Sequence, residues 1–372
     1  MVVVVGIDVH KGTHCAVALD QVGRPIGAPR TVRATDAGHR QLLRWAQSLT
    51  EQLPPVDSVE VVEVVESVEV VFAVEDCRHV SGRLERALLD AGQVVLRVPP
   101  KMMAQARSSA RTRGKSDPID AQAIAMVALR TPDLPRAEHT GVSRDLKLLV
   151  DQRERLVRHR TGLQNLLRWH LHELDPDLDP PSRALDRIVQ LDRVQDRLTA
   201  MPEHGPSSHA MLRRLALETL ADVRALTIRV NALEREITAL VCTVAPRLLA
   251  LPGCGALTAA KIVGETANPA RFRSEARFAM HAGVAPIPAS SGKTNRHRLA
   301  RGGNRQLNAA LHRIAVTQAR LNGPGRDYYQ RRRQLGNTKM HALRALKRRL
   351  ARIVYGLLNP TTTAAAAPPQ AA

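Results

Sequence analysis

The chain of 372 residues is poor in aromatic side chains, which make up only 2 % of it. Proteins that grip single strands by base stacking use aromatic platforms, so stacking is not expected to be the main binding mode. Cysteine is also scarce, with four residues at positions 15, 77, 242 and 254 and no Cys-x-x-Cys pair. Such scattered cysteines argue against a zinc ribbon and a disulfide scaffold, and they agree with a reducing cytoplasm.

Long hydrophobic runs are missing as well. No stretch approaches the roughly 20 apolar residues that a membrane span needs. The N-terminal residues show no basic region followed by a cleavage site. We therefore expect neither a membrane segment nor a signal peptide.

Acidic residues are outnumbered by basic ones, 35 against 55, which gives a formal net charge of +20. A balance of this kind predicts a polyanionic partner, most simply nucleic acid. Between residues 291 and 358 there are seventeen Lys and Arg residues and one acid, Asp327. A solvated face normally carries acids between its cations, so this segment predicts a nucleic-acid surface.

The length of the chain fits two or three domains. Strands alternate with helices over residues 1–140, which predicts an α/β layer architecture. Residues 141–246 change to long helices, and apolar residues from Val223 to Val244 follow the spacing of a coiled-coil seam. That seam can pack within the chain or between chains, and we favour a contribution to oligomerisation. Residues 247–358 are basic and helical, and the Thr/Ala/Pro-rich residues 359–372 predict a disordered tail.

Two acids follow apolar runs that are typical of buried strands. Asp8 comes after the valines at positions 2–5, and Glu75 after residues 70–74. Ribonuclease H-type phosphoryl-transfer sites place metal-binding carboxylates at the tips of such strands. The alternative for Asp8 is that it only begins a turn.

Asp117 and Asp120 are three residues apart, so they share one side of a helix's first turn. Four carboxylates at one sheet edge would repel unless cations lay between them, and Mg²⁺ prefers oxygen ligands. Two such ions can flank a scissile phosphate. A purely structural interpretation competes, because Asp117 before Pro118 fits an N-cap and Asp120 at N3 completes a capping pattern.

A Pro-Gly-x-Gly turn at residues 252–255 precedes an Ala-rich helix and resembles a helix-hairpin-helix element. Gly253 and Gly255 would let backbone amides approach a phosphate at the helix N-terminus. A tight turn between helices without a ligand is the alternative.

Ser290-Ser291-Gly292 stands before a run of cations. A serine hydroxyl can attack a phosphodiester when its pKa is lowered and cations hold the phosphate. The alternatives are a loop that only touches the DNA backbone and a nucleophile at Tyr328-Tyr329. The candidate phosphate contacts are Lys115, Lys293, Arg296, Arg298, Arg301 and Arg305.

These motifs, in this order, resemble the insertion-sequence 110 family of transposases, which join a RuvC-like DEDD domain to a C-terminal serine domain. The resemblance lies in residues 6–11, 73–78, 115–121, 251–255 and 290–305. The Val/Glu repeat at residues 59–70 departs from the family pattern and puts the strand register there in doubt.

The resemblance implies a ribonuclease H-like fold for residues 1–140, a helical oligomerisation region for residues 141–246 and a helical serine domain for residues 247–358. It implies that Mg²⁺ or Mn²⁺ is bound by Asp8, Glu75, Asp117 and Asp120. It also implies a covalent serine–DNA link, formed by Ser291, which precedes glycine, or by Ser290.

The same resemblance implies element-end and target DNA as substrates and homodimers or tetramers that join the acidic domain of one subunit to the serine domain of another. It further implies a structured guide RNA that selects DNA by base pairing. The expected protein is thus a DNA transposase acting at the nucleoid in the bacterial cytoplasm. Two alternatives are a metal-dependent nuclease of the junction-resolvase type and a nucleic-acid-binding protein whose acids are structural.

Overall fold

The chain divides into two compact units, Met1–His139 and Thr140–Ala372. The computed structural model describes residues 2–51, 69–100, 102–103, 116–131, 134–139, 141–181, 183–201, 207–289, 297–300 and 302–359. None of the helices in these ranges is both long enough and apolar enough to cross a membrane. The predicted boundary near residue 140 lies beside the division between the units, and the boundary at 246 stays a prediction.

Unit 1 is built on a mixed five-stranded sheet in the order β3-β2-β1-β4-β5. The first three strands are antiparallel neighbours, whereas β1, β4 and β5 run parallel. The α/β prediction is confirmed, and this strand order agrees with the ribonuclease H-like fold that the family resemblance implies. The strands are β1 (Val2–Val9), β2 (Thr13–Leu19), β3 (Pro25–Arg33), β4 (Glu69–Glu75) and β5 (Val94–Val98), and the helices are α1 (Asp36–Glu51), α2 (Arg78–Asp90) and α3 (Asp117–Arg130).

Strand β1 lies at the centre of unit 1 and is buried on both faces. Val5 and Ile7 belong to the apolar layer that includes Leu42 of α1, while Val4 belongs to the opposite layer with Ile124 of α3. A strand covered on both faces needs apolar residues at consecutive positions, which explains the run of valines. The apolar run therefore positions the end of β1, where Asp8 lies, at the middle of the sheet edge.

Strand β3 was not predicted from the sequence. Among the described strands it is an edge strand that pairs with β2 alone, and Val32 is its only buried residue. Its prolines, Pro25 and Pro29, are tolerated because an edge strand does not need every backbone N–H for pairing. An exposed strand carries no apolar alternation, so the sequence offered no signal for it.

Unit 2 is almost entirely helical, with one short ribbon formed by antiparallel β6 and β7. The all-α expectation for the second part of the chain is confirmed. Its elements are α4 (Gly141–Leu174), a 3-10 turn (Ala184–Asp186), α5 (Ile188–Ala200), α6 (Ser207–Val244), α7 (Pro246–Leu249), α8 (Ala256–Thr266), a second 3-10 turn (Pro269–Arg271), α9 (Glu275–His281), β6 (Pro286–Pro288), β7 (His297–Leu299), α10 (Arg305–Gln318), α11 (Pro324–Gln334) and α12 (Lys339–Leu358).

The heptad seam of α6 is filled from within the chain. Val223 is buried with Leu167 and Leu171 of α4, and Val230 is buried with Leu156 of the same helix. The antiparallel pair α4–α6 thus uses the apolar stripe that was favoured for oligomerisation. For these residues the described structure shows packing within the chain, and a contribution of residues 141–246 to oligomerisation stays a prediction.

Helix α8 is the central element of the C-terminal core. Every residue from Thr258 to Thr266 is buried, and the surrounding cluster includes Leu146 of α4, Leu311 of α10 and Leu350 of α12. Its small alanines let several helices approach it from different sides. The basic helices α10 and α12 are therefore held on a well-packed support.

Candidate active site

Helix α3 rests directly on β1 at Gly6. A Cβ atom at this position would lie 2.5 Å from the backbone nitrogen of Ala125 and would collide with the carbonyl oxygen of Ala121. Only glycine permits this approach, since both of the opposing atoms belong to the backbone. The close approach brings the first turn of α3 to the end of β1, two residues beyond Gly6, where Asp8 begins the acidic cluster.

Asp8 and Asp117 meet on either side of His10. The imidazole Nε2 of His10 lies 3.1 Å from Oδ2 of Asp8 and 3.6 Å from Oδ1 of Asp117. One ligand atom from each of the three residues falls within 4.8 Å of the other two. Asp8 is buried, while His10 and Asp117 are exposed, so the cluster opens to solvent on one side.

Asp120 lies one turn further along α3 and, like Glu75, is not one of the three residues whose ligand atoms lie within 4.8 Å of one another. It is only 5 % exposed. Burial raises the pKa of Asp8, and the negative charges of Asp120 and Asp117 raise it further against the opposing charge and hydrogen bond of His10. The three carboxylates are thus close enough to feel one another, which is the electrostatic situation that a bound cation relieves.

Glu75 ends β4 beside the end of β1. The parallel register pairs Ile7 with Val74, so Asp8 and Glu75 occupy the next step of the two strands. The Cys77 thiol lies near both acids. Burial raises its pKa, and the negative charges of Glu75, Asp76 and Asp8 raise the pKa further. Glu75 is half-buried and lies outside the 4.8 Å cluster of Asp8, His10 and Asp117.

The capping interpretation of Asp117 was wrong by one residue. Ser116 occupies the N-cap position with extended backbone angles, and no side chain there makes a capping hydrogen bond. Asp117 is the first helical residue, and Pro118 is the second. The Asp117 carboxylate is therefore not used to cap its own helix and is available to His10 and to a ligand.

The donor set at this sheet edge fits a divalent metal ion. It offers carboxylate oxygens from separate elements and one imidazole nitrogen, and oxygen donors are what Mg²⁺ and Mn²⁺ prefer. His10 was not assigned a role from the sequence. The signal was present in the sequence, because His10 follows Asp8 by two residues, directly after β1 ends at Val9.

In unit 2, the Pro-Gly-x-Gly turn is packed against α10. Gly253 has a φ of +84°, and a Cβ there would lie 2.9 Å from the Thr317 Cβ atom. The side chain of Gln318 donates a hydrogen bond to the Pro252 carbonyl at 2.9 Å. These contacts explain glycine at 253. Gly255 is exposed with open space around it, so packing does not account for that glycine.

Arg305 is positioned by an elaborate cap at the start of α10. The Asn304 side-chain oxygen accepts hydrogen bonds from the backbone N–H groups of Gln306 and Leu307, both at 2.9 Å. The Asn304 amide nitrogen donates to Glu265 of α8 at 2.6 Å, and its backbone N–H donates to the carbonyl of His281. Arg305 is thus fixed at the first position of a helix anchored to α8 and α9.

Arg298 lies exposed on β7 of the ribbon, paired with Ile287 of β6. Residues 290–296, with Ser290, Ser291, Lys293 and Arg296, lie outside the described residues, as do Arg301 and Lys115. The rival nucleophiles Tyr328 and Tyr329 lie in α11, partly buried against the C-terminal core.

Comparison with protein families gives two matches. The transposase model DEDD_Tnp_IS110 matches residues 5–176, which contain all four acids. The model described as Transposase IS116/IS110/IS902 family matches residues 245–330, which contain both serines and Arg305.

Curated relatives come from insertion elements. The 44.8 kDa protein of IS116 from Streptomyces clavuligerus is 27 % identical over 98 % of this chain and 96 % of its own length. The IS900 protein of Mycobacterium paratuberculosis is 26 % identical over 75 % of this chain and 82 % of its own. The IS110 protein of Streptomyces coelicolor is 34 % identical over 36 % of this chain and 33 % of its own.

Among solved structures, one titled "T. thermophilus RuvC in complex with Holliday junction substrate" aligns with 35 % of this chain and 94 % of its own chain. The sequence identity is 15 % and the TM-score is 0.24. At so low a TM-score, the likeness carries no argument about fold or function. The two family matches and the insertion-element relatives agree with each other and with the motif order. The chain belongs to the IS116/IS110/IS902 family of transposases.

Proposed function

We propose that this transposase excises and inserts its element through a covalent serine–DNA intermediate, with divalent metal held by Asp8, Glu75, Asp117 and Asp120. The observation that supports this most is the meeting of Asp8 and Asp117 around His10, at an edge that Asp120 and Glu75 also approach. Mg²⁺ at this edge would stabilise negative charge on the oxygens of a scissile phosphate.

The proposed chemistry is an exchange of phosphodiesters. The Oγ atom of Ser291, or of Ser290, forms a bond to phosphorus while the bond from phosphorus to a sugar oxygen breaks. The serine hydroxyl gives up its proton, and the leaving sugar oxygen takes one up. A hydroxyl of a second strand then attacks the phosphoserine and releases the serine, so the number of phosphodiester bonds is conserved.

The residues of unit 1 have separate tasks in this scheme. Buried Asp8 supplies a rigid carboxylate, whose position is fixed by β1 and by α3 at Gly6. Exposed Asp117 faces solvent, where a DNA strand can approach. His10 is hydrogen-bonded to Asp8 and lies 3.6 Å from Asp117, and its imidazole could offer a nitrogen ligand on the same side.

We also propose the partners that the family resemblance implies. The substrates are element-end and target DNA, and a structured guide RNA selects them by base pairing. The excess of basic residues over residues 291–358 supports both nucleic acids as ligands, because it neutralises phosphates without reading sequence. The reaction takes place at the nucleoid, in a homodimer or tetramer.

Trapping the intermediate tests the proposal. A suicide DNA substrate with a nick beside the cleavage site is incubated with the full chain, guide RNA and Mg²⁺, and products are separated under denaturing conditions. We expect a protein–DNA adduct that disappears in Ser290→Ala/Ser291→Ala and in Asp8→Asn. Tyr328→Phe/Tyr329→Phe is the matched control and should leave the adduct intact.

Each of the other outcomes would support a different function or a different nucleophile. Free DNA ends with no attached protein, still dependent on Asp8, would select the junction-resolvase type of nuclease. DNA and RNA binding without any cutting, unchanged in Asp8→Asn and Glu75→Gln, would select a binding protein with structural acids. An adduct lost in the tyrosine variant would move the nucleophile to α11.

A further inference from the structure

A second feature of unit 2 lies apart from the acidic cluster. A pocket of about 620 Å³ opens between α10 and α12. Its cationic wall is formed by Arg305, Arg344 and Lys347, with His312 beside them, and no acid is among the described residues that line it. Met340 and Leu343 of α12 form an apolar wall beside them. A pocket with this charge pattern selects an anion that also has an uncharged part.

Lys347 is the key cation of this pocket. Burial lowers its pKa, and the positive charge of Arg344 lowers it further. Its ammonium donates a hydrogen bond to the side-chain oxygen of Asn308 at 2.9 Å. The Asn308 amide is itself fixed, since it donates to the carbonyls of Ala282 and Gly283. The ammonium is thus oriented by a neutral group.

The contrast with two other lysines of the unit is informative. Lys261 is 3 % exposed and forms an ion pair with Glu154. Lys147 forms an ion pair with the buried Glu265. Lys347, also partly buried, has no carboxylate within 4.0 Å among the described residues. A partly desolvated ammonium is costly without a counter-charge, so a ligand that supplies one would be bound strongly.

The end of the pocket is shaped by two glycines. A Cβ at Gly303 would collide with the backbone of Gly283, which has a φ of +66°. This crossing lets the backbone itself form the wall beside Arg305. A backbone wall leaves room for a group bulkier than a single ion.

We propose that this pocket binds one phosphodiester unit of a nucleic-acid strand, with its phosphate against Lys347, Arg344 and Arg305 and its sugar against Met340 and Leu343. The volume exceeds what a lone phosphate needs and falls in the range of pockets for small ligands. The proposal rests on the proposed function only in taking nucleic acid as the partner, and it requires no strand cleavage.

The pocket lies next to the two strands of the β6–β7 ribbon. Gly283 lies three residues before β6, and Ala300 directly follows β7. These two strands flank the segment that carries Ser290 and Ser291. A strand anchored at the base of the ribbon would have its neighbouring phosphates delivered to that segment.

Binding of labelled oligonucleotides to the full chain tests the proposal. The affinity is measured by fluorescence anisotropy, without Mg²⁺ and at several salt concentrations, for DNA and RNA of the same sequence. The pocket variant is Arg344→Gln/Lys347→Gln. The matched control, Arg313→Gln/Arg320→Gln, removes the same charge from exposed positions of the same unit that do not line the pocket.

We expect the pocket variant to lose at least about tenfold in affinity and its salt slope to fall by about one, as expected when the contacts to one phosphate are removed. The control should lose about twofold or less. The single variant Arg344→Lys keeps the positive charge, so it should retain most of the affinity of the parent chain. A loss with both nucleic acids indicates recognition of the shared phosphate, and a loss with one identifies which strand is bound.

Equal losses in the pocket and control variants would overturn the proposal, because they would show a diffuse charge effect. So would unchanged affinity in a folded pocket variant, checked by circular dichroism. If the double variant does not fold, Arg344→Gln alone serves, since Arg344 is half-exposed. A chain that binds through the pocket but forms no adduct would refute the proposed function and leave this inference standing.

Discussion

The carbonyl oxygen of Ala121 occupies the place beside Gly6 where any other residue would carry its Cβ atom. This contact joins the middle of the first strand to the first turns of α3. It explains how acids separated by about 110 positions in the chain, Asp8 and Asp117, come to share one imidazole.

Gly6→Ala should therefore damage the acidic cluster without touching any acid. The methyl group must push α3 away from β1, which we expect to cost about 1–3 kcal/mol of stability. It should also weaken Mn²⁺ binding at least tenfold in a calorimetric titration, because Asp117 and Asp120 move with the helix. Gly12→Ala is the matched control, since a Cβ at Gly12 meets nothing within 4 Å. Equal behaviour of the two variants would contradict this account.

Asp8→Asn should separate stability from metal binding. Burial and neighbouring negative charges raise the pKa of Asp8, so its charged form is unfavourable without a cation. We expect the variant without metal to melt at the same temperature as the parent or higher, and to lose the rise in melting temperature that Mn²⁺ produces in the parent. Asp36→Asn, at the exposed start of α1, should keep that rise.

The sequence predicted the strands and helices that carry strong apolar periodicity, and it placed the acids at their ends. It did not predict β3, because an exposed edge strand shows no apolar alternation. It also did not separate the two uses of the α6 seam, since a heptad pattern is the same whether α4 or a second chain fills it.

The sequence predicted the carboxylates of the candidate site. It did not predict the parts that His10 and Gly6 play there. Residue type identified the acids, because oxygen donors at strand ends suggest a metal. The contribution of Gly6 depends on which helix crosses β1, and that is a tertiary relationship without a local signal. The basic pocket likewise depends on the crossing of Gly283 and Gly303, far apart in the chain.

Acid should destabilise unit 1 through His14. Burial, and to a smaller extent the nearby His39, lower the pKa of His14 to about 4. The two rings stack and share a hydrogen bond at 3.3 Å, and the Nδ1 atoms of both lack a partner among the described residues. Because the unfolded chain binds this proton near pH 6.5 and the folded chain resists it to about pH 4, stability should fall as the pH drops through that window.

The loss from this group alone should reach about 3 kcal/mol at the acid end of the window. Hydrogen exchange of the β1 and β2 amides measures it, since it reports unit 1 separately. His14→Gln should flatten the pH dependence, whereas His209→Gln, an exposed residue of α6, should leave it unchanged. A slope of the same size in His14→Gln would count against this explanation.

Asn304 should have two separable roles. Asn304→Ala removes the cap of α10 and should cost about 1–2 kcal/mol, more than the exposed cap variant Thr338→Ala. Asn304→Asp keeps the capping oxygen but places a second carboxylate beside Glu265. We expect Asn304→Asp to be less stable than the parent at pH 7 and to recover as the pH falls and the carboxylates are protonated. Thermal unfolding at several pH values measures this.

Mixing inactive subunits tests how the site is assembled. If the acids and the serine come from different subunits, then Asp8→Asn and Ser290→Ala/Ser291→Ala should be inactive alone and regain adduct formation when mixed. Adduct should then appear only on the subunit with intact serines, which a size tag identifies. Failure of every mixture, with hetero-oligomers shown to form, would place the acids and the serine in one subunit.

The most direct measurement is an anomalous difference map from crystals of the full chain grown with Mn²⁺. The account predicts a peak bonded to Asp8 and Asp117, with Asp120 or Glu75 completing the ligands, and no such peak in crystals of Asp8→Asn. A map from well-ordered crystals of the parent chain with no Mn²⁺ at this edge, or with Mn²⁺ held only elsewhere, would contradict it.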